Sequence, residues 1–313
     1  MSRASRAVRF ARSRLLGILL VAATAVLAGC SSLVRMAYNN SDIAVRMMAD
    51  EYLDLHGEQA ALFKTRLARF HEWHRLEELP RYAQALDSAA ARLRRGVTRD
   101  DVVWAVAAMS ERYRVLAAQA IDAAIPVLVT LTPENLGALE KKFAASDREF
   151  VQKYLTEGPE AREKARDDAI DGRFEEWLGS VSAAQQRLIA SYVREQPSIQ
   201  ALRLADRKAR QQALLSLLGQ ERNASALREH LRALFVDYEA QRSAGYAHAY
   251  REWQERVITL VTEVLQVASP AQRKHAADLL AGYADDFRAL AEEGRAKLPA
   301  DARAAEEAVH PGS

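Results

Sequence analysis

"LREHLRALFVDY" (227–238) and "WQERVITLVTEV" (253–264) decide the fold class. In the first, Leu227, Leu231, Leu234, Phe235 and Tyr238 fall at i, +4, +7, +8 and +11; in the second, Trp253, Val257, Leu260, Val261 and Val264 repeat the pattern. A 3.6-residue period places such residues on one face of an α-helix, and no stretch of the chain alternates convincingly at period two. Gly and Pro, at 13 and 8 of 313 residues, leave room for long uninterrupted helices. The expected fold is therefore all-α, an elongated antiparallel bundle of about eight to ten helices with no β-sheet.

Working outward, periodicity and stop signals predict helices over 42–54, 57–78, 81–95, 99–129, 133–156, 160–179, 183–195, 198–218, 222–267 and 270–296. The segment 222–267 contains no proline and, unbroken, would run about 70 Å, with Gly245 as the place to bend it. Together the helices make one domain over 42–297, with two helical halves meeting near 180. The last stretch, 298–313, lacks a bulky apolar stripe and reads as a flexible tail.

The first 29 residues read as an export signal. Arg3, Arg6, Arg9, Arg12 and Arg14 precede the apolar run "LLGILLVAATAVL" (15–27), and "LAGC" (27–30) comes next. That tetrapeptide resembles a bacterial lipobox, which implies cleavage between Gly29 and Cys30 and acylation of Cys30. Cys30 is the single cysteine, so no intrachain disulfide can form. Several acyl chains, each buried methylene worth about 0.8 kcal/mol, anchor a protein stably. By resemblance to sorted lipoproteins, Ser31 after the cysteine implies the outer membrane, with the protein facing the periplasm. Residues 30–41 then serve as a lipidated tether, and the lipid bilayer is the first expected partner.

The full chain carries 44 basic and 42 acidic residues, a net charge of +2. Loss of the five signal arginines leaves 39 against 42, or −3, so the basic balance belongs to the signal. The electrostatic case for nucleic acid as a partner disappears with it.

Four helix starts share one plan: "LHGEQ" (55–59), "LTPEN" (131–135), "VSAAQ" (181–185) and "ASPAQ" (268–272). A cap residue (His56, Thr132, Ser182, Ser269) precedes an amide three positions on (Gln59, Asn135, Gln185, Gln272), which approximates a capping box. A second recurrence is aromatic-x-Glu-Trp. Phe70/Trp73, Phe174/Trp177 and Tyr250/Trp253 carry it and are expected to pack in the core with the glutamate facing water. The unequal spacing excludes a solenoid of fixed period.

"FHEWHRLEELPRY" (70–82) is the stretch most suggestive of chemistry. His71, His74 and Glu78 fall at i, +3 and +7, and zinc accepts such nitrogen and oxygen ligands. The stretch is one residue short of the H-E-x-x-H protease motif, and its face also carries Phe63, Leu67 and Phe70. Two readings are open: a metal site for an envelope hydrolase, or a hydrogen-bonded, partly buried histidine pair. The second is favoured, with Pro80 expected to interrupt the helix. Neither a cofactor nor catalysis is expected.

Two resemblances rest on these motifs. "CSSLVRMAYNN" (30–40), "DEYLDLHGEQAALFKTRL" (50–67) and "WHRLEELPRYA" (73–83) resemble a family of uncharacterised Gram-negative lipoproteins, which implies a helical fold and an envelope location. "LTPEN", with "VSAAQ" and "ASPAQ", is similar to the LTxxQ motif of the Spy and CpxP periplasmic stress proteins, although none of these copies has both Leu-Thr and Gln. That likeness implies a chaperone-like, ATP-independent role. The expected function is thus an anchored lipoprotein that binds envelope proteins, as chaperone or assembly partner; a purely structural lipoprotein is the third reading.

Overall fold

The computed structural model describes residues 31–299, and every regular element among them is helical. In chain order they are α1 (Ser31–Asn39), α2 (Ser41–Leu53), α3 (Gly57–Trp73), a π-helical turn (His74–Glu78), α4 (Leu79–Arg95), α5 (Arg99–Leu128) and α6 (Pro133–Tyr154). Next come α7 (Pro159–Leu178), α8 (Ala183–Glu195), α9 (Gln200–Gln220), α10 (Ala224–Phe235), a 3-10 turn (Tyr238–Gln241), α11 (Ala244–Gln266) and α12 (Pro270–Arg295). The all-α expectation holds. Gly29, Cys30, the signal sequence and nearly all of the expected tail lie outside the described residues.

Two expectations change. The stretch 31–40 is helical (α1) and packs against α12, so it is not a loose tether. The predicted helix 222–267 is two helices. Its break lies at 236–243, just before Gly245, where the Ser243 hydroxyl accepts the N–H of Tyr246 at 3.3 Å and starts α11. That N-cap satisfies an orphan donor that an unbroken helix would not have had.

The core is double, but its two parts are not successive halves of the chain. One cluster joins Ala90 and Leu93 of α4, Val102 of α5, Leu178, Ile189 and Val193 of α7 and α8, and Ile258, Leu260 and Val264 of α11. The other joins Leu55, Ile121, Ile125 and Val127 with Leu139, Leu218, Leu227 and Leu231. Residues on both sides of 180 build each cluster, which corrects the expected boundary there. α5, whose 30 residues span about 45 Å, enters both.

The main helix pair is α4 against α12, running antiparallel: Arg94 pairs with Asp278 at 3.4 Å, while Arg75 reaches the Leu290 carbonyl, also at 3.4 Å. α4 buries Ala83 and Ala90, and α12 buries Ala277, Ala284 and Ala291. These alanines recur every seven residues, which keeps small side chains in register where two nearly antiparallel helices meet.

The four cap motifs interlock in two pairs. In one, the Gln59 amide donates to the Thr130 carbonyl at 2.6 Å and to Asn135 Oδ1 at 3.1 Å, while Asn135 donates to the Leu53 carbonyl at 2.7 Å. In the other, the Gln272 amide donates to the Ser180 carbonyl and to Gln185 Oε1, both at 2.9 Å, and Gln185 donates to the Val264 carbonyl at 3.2 Å. Gln59 and Gln272 therefore play one role and Asn135 and Gln185 another. Thr132, Ser182 and Ser269 form full capping boxes with their amides; His56 makes no side-chain cap bond. Thr98 and Asp101 form a further box, unpredicted, at the start of α5, and the Thr98 N–H and hydroxyl hold the Asp101 carboxyl down to about 2.

The aromatic-x-Glu-Trp pairs sit at the margins. Phe70 and Trp73 lie 5.6 Å apart, Tyr250 and Trp253 5.3 Å, and Trp177 meets Tyr283 at 6.3 Å. All six aromatics are half-buried; Phe174 packs against the first core cluster as expected, while the other five pack outside both clusters, which corrects the core placement expected for them. The buried apolar positions go to aliphatic side chains and alanine, with Tyr246 the one aromatic among them in the described residues.

Candidate functional site

Pro80 lacks the N–H that would bond one turn back, yet it does not end the helix. The turn before it widens, and Leu79 N–H bonds to the His74 carbonyl five residues earlier. The chain then continues directly into α4. One added residue in a turn rotates the downstream helix by about 100°, and this carries Glu78 to the inside, where it is 0% exposed. There its carboxylate accepts from Arg81 at 2.8 Å and Arg112 at 3.3 Å.

The two histidines face α1 and the start of α2. The Tyr38 hydroxyl and His74 Nδ1 share a 2.8 Å hydrogen bond, and Ser41 Oγ lies 3.2 Å from His71 Nε2. The Tyr38 ring lies 4.7 Å from the His71 ring and 5.7 Å from that of His74. The Arg75 guanidinium sits 5.0 Å from the Tyr38 ring and donates to Asn39. Burial disfavours the charged imidazoles: it lowers His71 and brings His74 from 6.5 down to about 4, with His71 adding to the effect. Burial also raises the Tyr38 phenol, against the pull of Arg75. The cluster is a clasp of neutral rings fastening α1 to the α3–α4 turn.

As a metal site the trio does not assemble. Among the described residues, the group whose donor atoms come within 4.8 Å of one another is Asp50, Asp54 and His56, all exposed. His71 and His74 instead each commit a ring nitrogen to α1 or α2, and Glu78 is held by two arginines. The favoured reading, a hydrogen-bonded and partly buried histidine pair, matches this geometry.

A different feature, unseen in the sequence, has the form of a binding site. Between α2, α5, α6, α9 and α10 runs an apolar groove of about 450 Å³. Ala117, Ala120 and Ala124, at i, +3 and +7 on α5, leave the space, and Tyr52, Phe143, Leu214 and Phe235 wall it. Tyr113 fixes one rim by donating to the Phe235 carbonyl at 2.9 Å. Lys142, paired with Glu51, lies 5.2 Å from the Tyr52 ring at the other. At Phe143 the groove adjoins a cleft of mixed character, about 610 Å³, between α6 and α9, where Asp147, Arg148, Lys208 and Gln211 join Val151 and Leu215 in the lining. Apolar floor and mixed-charge margin lie side by side. The sequence signal was the run of small residues on one face of α5, which periodicity reads simply as helix.

No curated protein and no solved structure matches the chain, so the likeness to Spy and CpxP gains no support. Residues 51–247 match a family of unknown function, DUF6279, over a span that takes in α3 to α10, and with them the π turn and every residue lining the groove. More than half of the chain is covered, and the chain belongs to that family of unknown function, DUF6279.

Proposed function

We propose that the chain is an outer-membrane lipoprotein, held by acyl chains on Cys30 and facing the periplasm, that acts by binding apolar segments of other envelope proteins without catalysis. The observation that carries the binding half is the groove of about 450 Å³, whose walls are almost entirely aliphatic and aromatic. Pockets of this size with few polar groups favour apolar ligands, and an amphipathic segment matches an apolar floor beside a charged margin. The anchoring half rests on the sequence around Cys30; no described helix is long and apolar enough to cross a membrane.

The test uses purified protein and a chemically unfolded client diluted from denaturant. The expected outcome is suppressed client aggregation by the wild type and loss of that suppression in Ala120→Trp, which fills the groove from an exposed position. Equal suppression by both proteins, with equal helicity, would place binding elsewhere. Labelling cells with radioactive palmitate tests the anchor: label in the wild type and none in Cys30→Ala is the expected result.

A further inference from the structure

Ten large apolar side chains are notably exposed among the described residues, and five of them (Met36, Ile43, Val45, Met47 and Met48) fall within 13 positions of α1 and α2. The other two exposed residues between 36 and 48 are Asn39 and Asn40, so no exposed residue there carries a charge. The two ionic side chains of the stretch that lie partly open, Asp42 and Arg46, neutralise each other at 2.9 Å. α2 contains no fully buried residue. Ala49, Tyr52 and Leu53 in its last turns pack inward on the core, while Ile43, Val45, Met47 and Met48 in its first turns stay outward, ahead of the exposed acids Asp50 and Glu51. Such a concentrated apolar surface marks an interaction site.

Its position says with what. α1 begins at Ser31, directly after Cys30, and only Asn40 separates it from α2. Helical rise puts Met36 about 8 Å and Met48 about 26 Å along the chain from Ser31. No long spacer intervenes to carry the strip away from a bilayer that holds Cys30. A surface tethered this closely meets the bilayer at high effective concentration. An uncharged strip of Met, Ile and Val suits the boundary between headgroups and acyl chains, where bound helices bury their apolar faces. The clasp of Tyr38 on His71 and His74 fixes the strip to the body, so that docking it would orient the whole molecule.

We infer that the Met36–Met48 strip lies on the lipid surface in which the acylated Cys30 is embedded and sets the orientation of the domain there. This rests on the anchored reading above.

The test uses the full lipidated chain in vesicles of phosphatidylethanolamine and phosphatidylglycerol containing lipids brominated on their acyl chains. Acylation of Cys30 leaves an introduced cysteine as the sole free thiol, so Met47→Cys and, as control, Met109→Cys can each carry a bimane fluorophore. Met109, on α5, is 73% exposed. The expected result is loss of most emission at position 47 and unchanged emission at position 109. Protein that floats with the vesicles yet shows no quenching at 47 overturns the inference alone, whether a second copy or another protein then proves to cover the strip. Protein that fails to float overturns the anchor, and the inference with it.

Discussion

At Gly294 the backbone of α12 passes so close to Arg75 that an added Cβ would lie 2.6 Å from its Cδ and 3.1 Å from Leu76 Cδ2. Arg75 is poorly placed to yield, since its guanidinium also bonds Asn39 and the Leu290 carbonyl. Gly294→Ala should therefore destabilise the fold by about 1–3 kcal/mol, an overpacking cost, read as a lower urea midpoint with an unchanged slope. His74 gives a second residue-scale prediction. Its folded pKa of about 4 lies below the ordinary 6.5, so between these values the unfolded chain binds a proton that the folded chain refuses. His71 is shifted in the same direction. Their contribution is intact above pH 6.5 and declines as the pH falls towards 4, and His74→Gln should flatten urea stability measured across that window. The histidines themselves were legible in "FHEWHRLEELPRY", but their partners were not. Tyr38 and Ser41 lie some thirty residues upstream, and the π turn that redirects Glu78 has no period to betray it.

Elements were legible where their signals are local. Thr132/Asn135, Ser182/Gln185 and Ser269/Gln272 cap as expected because a box needs only two residues three apart. Their crosswise pairing is a tertiary fact, and it gives the amides a second duty. Gln272 is nearly buried and donates to Ser180 and Gln185, so Gln272→Ala strands acceptors as well as a cap. A loss of about 1–3 kcal/mol is expected, larger than the roughly 1 kcal/mol of a simple cap; Gln59→Ala, which removes no cap bond and strands acceptors that water can reach, should cost less. Chemical denaturation of the two single variants and the double variant would check this, and additivity is expected because the pairs share no residue. The break at 236–243 was hidden because apolar residues keep helical spacing on both sides of it. The seven-residue alanine repeat escaped notice for a related reason: alanine weighs little in a search for bulky stripes. Ala284→Leu should force α4 and α12 apart and cost about 1–3 kcal/mol in the same assay.

At the scale of the molecule, two cores share α5, and each draws on residues from both sides of position 180. Local patterns cannot reveal such a division, which is why a boundary near 180 was a reasonable expectation and an incorrect one. The groove has the same origin. Ala117, Ala120 and Ala124 become a cavity only when α2, α6, α9 and α10 leave that face of α5 partly uncovered. Its apolar floor, the mixed-charge cleft beside it and the apolar Met36–Met48 strip are the features on which the proposed membrane-facing, client-binding role rests. The most direct measurement places a photo-crosslinking residue at Ala120, and separately at Met109, in purified protein presented with an unfolded client of known sequence. The account predicts client adducts from position 120, mapping by mass spectrometry to apolar segments, and few from the exposed position 109. Equal adducts from both positions, or none from 120 while the client remains bound, would contradict it.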